Sequence, residues 1–379
     1  MRLTMTNNIK LFATASGVAI AILGVTPAFA SGTLAGTDIV NTATVSYQVG
    51  AVNQTDVTAT DTLRVDRKVT VAVVELGTAT TSVTPGQAQA ATAFTVSNTS
   101  NAAIDIALAA TNFAGGAAPH GGTDGFNPGA YTFYVESGGV AGFDATDTLV
   151  TYLDSVPADG TRTVYVVTSI PLVDGATAIT NGLIAAVHLT GTASELDASS
   201  AAPGAAITAT AGANGKLTTE TVLLDLAGTA AGDVANDGKA SDDDDYTVAA
   251  PVLTVAKFSR VLADPVNVLI SGSLDNVNAV ANPDAKAIPG ATIEYCITVS
   301  NASGAAIPDA TSVAISDNLS ALPVTYLAAF GVRTGATVAS GVCTTPTGTG
   351  AFASNIVSGT LGSIAQGTLK TLYFRATIN

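Results

Sequence analysis

The chain has 379 residues, 47% of them hydrophobic, and its 29 acidic residues against 14 lysines and arginines give a formal charge of −15. Such a field repels nucleic acid and anionic membrane and favours divalent cations or plain solubility. Tryptophan is absent and aromatic residues make up 5%, so the core must be built from Ala, Val, Leu, Ile and Thr, and the stacking platforms common in sugar enzymes are scarce.

The first thirty residues read as an address. Arg2 and Lys10 flank a weakly polar start, residues 11–25 are apolar, and Ala28-Phe29-Ala30 ends in small side chains, the pattern of a secretory signal cleaved after Ala30. The apolar run is short of the ~20 residues a membrane span needs. The mature protein is therefore expected to be soluble and exported, with no membrane insertion. Losing Arg2 and Lys10 takes the charge from −15 to −17. What remains is long enough for two or three domains with cores of their own.

Residues 31–67 predict an N-terminal β-hairpin. Ala43, Val45, Tyr47 and Val49 alternate with Thr44, Ser46 and Gln48, the period of two of a strand with one buried face. Residues 50–54 supply the turn and 57–65 the return strand. The hairpin is expected to complete the sheet of the first module. The alternative is that a β-patterned segment near a free end completes the sheet of a neighbouring copy through main-chain hydrogen bonds.

Further strands are predicted at 69–76, 91–97, 104–110, 131–136, 149–153, 161–169, 183–192 and 218–226, separated by clusters of Gly, Pro, Asn and Asp. No stretch keeps a helical period with caps. Residues 68–245 are thus read as a first β-sandwich module with Gly-rich and acidic insertions. Asp144 and Asp147 in the 138–147 turn are explained by turn chemistry. Long insertions at 115–130 and 195–215 are where a binding site at the end of a sandwich would sit.

Residues 233–245 mark the sharpest change of composition and are read as the junction between modules, the second running from 246 to 379. Asp233, Asp237, Gly238, Ser241 and Asp244 follow part of a calcium-loop spacing, but Ala235 occupies the place of a third-position ligand and no flanking helices are predicted, so this is not an EF-hand. The plain reading is a solvated acidic linker. The chemical one is a calcium site using Asp233, Asp237, Ser241, Asp242 and Asp244, since hard oxygen ligands suit that ion. His120 is assigned to a surface loop and His188 to a strand face, because nothing in the sequence pairs either with a nucleophile or with two further ligands. No nucleophile, base and orienting group stand together anywhere, and the chain is read as non-enzymatic.

In the second module, strands are predicted near 252–258, 266–271, 292–300, 312–316, 324–328, 356–361 and 369–378, the number an immunoglobulin-like sandwich requires. One phrase occurs in both modules: Thr84-Pro85-Gly86 before Phe94-Thr95-Val96-Ser97-Asn98, and Ile288-Pro289-Gly290 before Ile297-Thr298-Val299-Ser300-Asn301. Reuse of a strand-and-turn unit predicts two related β-domains in series. Cys296 and Cys343, the only cysteines, are expected to pair as a disulfide in an exported protein, the alternative being two buried thiols. Lys257, Glu294 and Asn379 are the residue types of an intramolecular Lys-Asn amide bond, although three ordinary residues account for them as well.

Leu253-Thr254-Val255-Ala256-Lys257, Ile288-Pro289-Gly290-Ala291-Thr292-Ile293-Glu294-Tyr295, Thr298-Val299-Ser300-Asn301 and Ile315-Ser316-Asp317-Asn318-Leu319 resemble the bacterial repeat known as domain of unknown function eleven. Asn41 to Tyr47, Val65 to Lys68 and Thr84-Pro85-Gly86 resemble, more loosely, a companion module that precedes such repeats in proteobacterial exported proteins. The resemblance implies Ig-like sandwiches in exported, often surface-associated proteins, and with them an extracellular or cell-surface place in a bacterium of the Gram-negative type; it brings no catalytic residues. The expected function is therefore that of a structural or adhesive surface protein, a spacer, coat component or fibre subunit, whose partner is itself or another surface component. The alternative is an extracellular binding module for a glycan, a protein or calcium.

Overall fold

A computed structural model describes residues 32–199, 201–227, 233–304 and 307–379; the expected export leader lies outside them. Among the described residues every regular element is a strand, and no helix is long and apolar enough to cross a membrane. The fold is all-β, with two sandwiches in tandem.

The first sandwich packs two five-stranded sheets. One runs Thr148–Val150, Thr132–Val135, Gly160–Thr168, Ala90–Asn98, Val71–Glu75, and the other Tyr152–Val156, Ile104–Asn112, Ile184–Ser194, Lys239–Val248, Thr81–Val83. Strict alternation of buried and half-buried residues along Ala90–Asn98 shows one face turned to the core. Phe94, Val96, Ile104, Ile106, Val164, Val166, Leu189 and Tyr246 form that core, with aliphatic side chains supplying most of it as the composition requires.

The second sandwich has a larger sheet in the order Leu253–Ala263, Thr292–Asn301, Leu369–Ile378, Arg333–Thr334, Gly348–Thr349, and a smaller one of Ala310–Asn318, Ile356–Ile364 and Ala351–Ala353. The central strands bury both faces. Ile297, Leu372 and Phe374 pack with Val357 in one cluster, whereas Cys296, Tyr373, Phe330, Ala336 and Cys343 make a separate small core. The Cys296–Cys343 disulfide lies within that second core.

The repeated phrase performs the same work in both sandwiches. Gln87 N–H donates to Thr84 O and Ala291 N–H to Ile288 O, closing a Pro-Gly turn in each, and Gly86 and Gly290 take φ of 81° and 87°, where a side chain would be strained. The turn glycines then donate to Ile170 O and Ile378 O, beyond or at the end of the strand that flanks the phrase. At the far end, Asn98 and Asn301 are buried, and their Nδ2 groups donate to carbonyls of Ala102 and Val156 and of Pro308 and Ile364. Each buried amide fixes the end of its strand by satisfying turn carbonyls that would otherwise be orphaned.

Two expectations are corrected and one alternative is set aside. Residues 239–248 are no linker: they form a strand of the first sandwich, paired along its length with Ile184–Ser194, so the junction moves to 249–252. The reason is that Ala240, Tyr246 and Val248 lie in the core on the strand face that Asp242 and Asp244 share. Residues 266–271 are an excursion rather than a strand, organised by Asp264, whose carboxylate accepts from the backbone N–H groups of Val266, Asn267 and Lys286. Lastly, Lys257, Glu294 and Asn379 do not meet. Lys257 pairs with Asp317, Glu294 is engaged by Arg260, Tyr373 and Arg375, and Asn379 accepts from Thr325; the register also puts Lys257 and Glu294 on opposite faces.

The bonds from Asn267 and Lys286 hold the Asp264 carboxyl well below the usual carboxylate range. A depressed folded-state pKa contributes stability above the unfolded value near 4 and loses it as pH falls through the folded value. Acid titration should therefore loosen the 264–286 excursion only below about pH 4, read as hydrogen exchange of the Val266, Asn267 and Lys286 amides. Asp264→Ala should show fast exchange at these amides already at pH 7; unchanged protection would overturn this account.

Candidate functional site

Two places in the first module have properties that packing alone does not explain. The first is the hairpin. Asp38–Val45 pairs with Val57–Arg64 over eight positions, and this two-stranded sheet joins neither sheet of the sandwich, contrary to the expectation that it completes one. It is tied down at its base, where Ala35 N–H donates to Asn101 O, Arg64 N–H to Lys216 O, and Asn101 Nδ2 to the carbonyls of Thr33 and Asp66. Lys216 and Asp61 form an ion pair slightly further out.

Beyond the base the hairpin is an arm exposed on both faces. All eight residues of Asp38–Val45 are exposed, and Val40, Val45, Val49, Val52 and Val57 each show 58–64% of their surface. Isolated two-stranded hairpins are marginal in water because nothing covers a face. This arm carries an apolar, β-branched surface that the other described residues leave uncovered. A matching vacancy exists in the second module: Leu253–Ala263 is the outer strand of its sheet, and Leu253, Val255 and Phe258 on it are exposed.

The second place is the acidic strand. Of the predicted ligands, Asp233 accepts from Ser241 N–H, Asp237 from Lys239 N–H and Asp242 from Glu75 N–H, all ordinary backbone partners. Ser241, Asp242 and Asp244 lie on Lys239–Val248, with Ser241 on the opposite face from the other two, while Asp233 and Asp237 lie in the turn before it, and the carboxylates among these five form no ligand group with one another among the described residues. Asp244 alone enters a cluster, with Glu75 at the end of Val71–Glu75 and His120 in the 113–131 loop, in which one ligand atom from each lies within 4.8 Å of the others. Asp245 is fully buried beside them and accepts the His120 backbone N–H at 2.9 Å.

His120 is thus no surface residue; its side chain is 15% exposed. Nε2 stands 3.3 Å from Glu75 Oε1, and Nδ1 stands 3.7 Å from Asp244 Oδ1 and 3.5 Å from Asp245 Oδ1. Burial pushes the Asp244 carboxyl up to about 7 and raises that of Glu75. His188 lies on its strand as expected, its Nδ1 2.6 Å from Asp243, which raises its pKa. In the 138–147 turn, Asp147 accepts from Ser137 and Asp144 N–H and Asp144 from Thr146, so those carboxylates serve the turn itself.

Sequence reasoning missed Glu75, His120 and Asp245 as a group because they lie on three elements far apart in the chain. The one legible signal was the even spacing of Ala240, Tyr246 and Val248, which as a strand would put Asp242 and Asp244 on the same face.

No family model matches the chain, and no curated protein matches it. Among solved structures it is similar to the CupB6 tip adhesin from Pseudomonas aeruginosa, at 11% identity over 82% of this chain and 89% of that one, with a TM-score of 0.25.

Proposed function

We propose that the chain is an exported, non-enzymatic structural protein of the bacterial surface, a coat or fibre subunit, whose copies join through the N-terminal arm. The observation that carries this reading is the arm itself, a hairpin exposed on both faces, rich in apolar β-branched residues and anchored at and near its base. In this reading the arm of one copy adds to the open Leu253–Ala263 edge of the next, where main-chain bonds give affinity and alternate side chains give register. A heterologous contact of this kind propagates into rings or filaments instead of closing as a dimer. The leader supports export, and the place of the Pro-Gly and Asn phrase in both sandwiches supports membership of the second module in the Ig-like repeat family that its sequence resembles.

Residues 31–379 should form concentration-dependent oligomers or filaments, seen by light scattering and negative-stain microscopy. Deleting 31–66, or replacing the facing pair Val45 and Val57 by aspartate, should abolish them while both sandwiches keep their circular dichroism. Each buried valine contributes about 1.5–3 kcal/mol, so the double change should weaken association at least about a hundredfold. A wild-type protein that stays monomeric at every accessible concentration would overturn the reading.

A further inference from the structure

Four acidic groups and one imidazole meet at the edge of the first sandwich, and their hydrogen bonding is incomplete. Asp242 Oδ2 is taken by Glu75 N–H, Asp244 Oδ1 by Asp245 N–H, and Asp245 Oδ2 by His120 N–H. Three buried atoms of the cluster have no hydrogen-bond partner among the described residues: Glu75 Oε1, His120 Nδ1 and Asp245 Oδ1. Asp245 is the telling one, because its side chain is 1% exposed and its orphaned oxygen faces the orphaned imidazole nitrogen. Unpaired buried polar atoms are costly and call for a specific explanation.

The spacings suggest what is missing. At 3.5 and 3.7 Å, Nδ1 is too far from the two aspartate oxygens for a hydrogen bond. These separations are nevertheless close to the roughly 3.3–3.5 Å between neighbouring ligands around a tetrahedral zinc with bonds near 2.0–2.1 Å. Charge points the same way: even a protonated His120 leaves Glu75, Asp244 and Asp245 in excess, and like charges gathered away from water need a cation or protons between them.

We propose that His120 Nδ1, Asp244 and Asp245 bind a divalent transition-metal ion of the zinc or manganese class, with Glu75 orienting the imidazole by accepting from Nε2–H. One ion then accounts for all three orphaned atoms, two as ligands and the third as the carboxylate behind a ligating histidine, a pairing usual at metal sites. The imidazole donor selects against calcium and magnesium, which prefer all-oxygen shells. Structurally, the ion pins the 113–131 loop to the Lys239–Val248 strand, which the loop reaches through the His120 N–H bond to Asp245, whereas Asp124 ties the loop to Ile184–Ser194 by accepting from Ala186 N–H.

Titration calorimetry of residues 31–379 with Zn2+, Mn2+ and Ca2+ in turn tests this. Zn2+ or Mn2+ should bind with a stoichiometry of one and at least tenfold more tightly than Ca2+. His120→Gln and Asp245→Asn should each abolish that binding, and Glu75→Gln should weaken it about 10–100-fold. Hydrogen exchange in the 113–131 loop should slow when Zn2+ is added to the wild type and not when it is added to His120→Gln, a readout that holds if Asp245→Asn fails to fold. Absence of saturable Zn2+ and Mn2+ binding, or equal binding by wild type and His120→Gln, would overturn the site in favour of carboxylates balanced by protons.

Discussion

Replacing Glu294 by alanine is expected to destabilise the second sandwich by about 3–5 kcal/mol, the usual cost of removing one partner from a buried ion pair. Glu294 is 2% exposed and Arg375 fully buried. Two guanidinium N–H groups of Arg375 donate to Glu294 Oε2 at 2.9 and 2.7 Å, the Tyr373 hydroxyl donates to the same oxygen at 2.7 Å, and Arg260 Nε donates to Oε1 at 2.7 Å. Alanine would leave two guanidiniums facing each other without a counter-charge. Arg375 would keep the carbonyls of Leu274 and Asn276, the Tyr373 hydroxyl at 3.3 Å and the face of the Phe330 ring, 4.0 Å away, none of them a carboxylate.

The loss belongs to the unpaired charge and not to the bond as such. A double variant, Glu294→Leu with Arg375→Leu, should therefore recover a large part of it, since a buried pair and an apolar pair of similar volume often differ little. Urea unfolding followed through the second module's tyrosines measures both. A single-variant cost below about 1 kcal/mol, the level of an exposed pair, would show that water reaches the network.

The second large effect is expected at the disulfide. Cys296 and Cys343 are 47 residues apart, and closing a loop of that length stabilises a fold by about 4 kcal/mol in the chain-entropy account. Both residues are nearly or fully buried against Phe330 and Tyr373, so reduction also disturbs packing on the face that holds Glu294. Replacing both by alanine should lower the unfolding free energy of the second sandwich by about 2–5 kcal/mol and leave the first sandwich, which has no cysteine, unchanged. Equal melting of the variant and the wild type would contradict this. Because Cys296 and Glu294 share a strand face, the two effects should not add.

The fold was legible where periodicity and turn chemistry agreed. Ala90–Asn98 and Thr292–Asn301 could be read because Pro-Gly turns, alternation and a terminal Asn all gave one answer. The acidic strand was misread because aspartate is depleted in strands and favours loops, a preference overridden here by Tyr246 and Val248 in the core. The arm's strands were visible in sequence, but whether they cover a sheet or stand clear of it depends on long-range pairing that no local pattern encodes. His120 shows the same limit. Its loop was correctly placed, yet burial beside Asp244 and Asp245 follows from the way the 113–131 segment folds back over a strand more than a hundred residues later.

The order of strands in the second sandwich has a mechanical consequence. Leu253–Ala263 and Leu369–Ile378 both run antiparallel to Thr292–Asn301, so they are parallel to each other and enclose it. The chain enters this trio beside Asn301 and leaves it beside Thr292, at opposite ends. Tension along the polypeptide therefore slides the strands past one another, across hydrogen bonds that lie perpendicular to the pull. The whole row must yield together instead of opening bond by bond, which makes this module suited to resisting traction between whatever its two ends are fastened to.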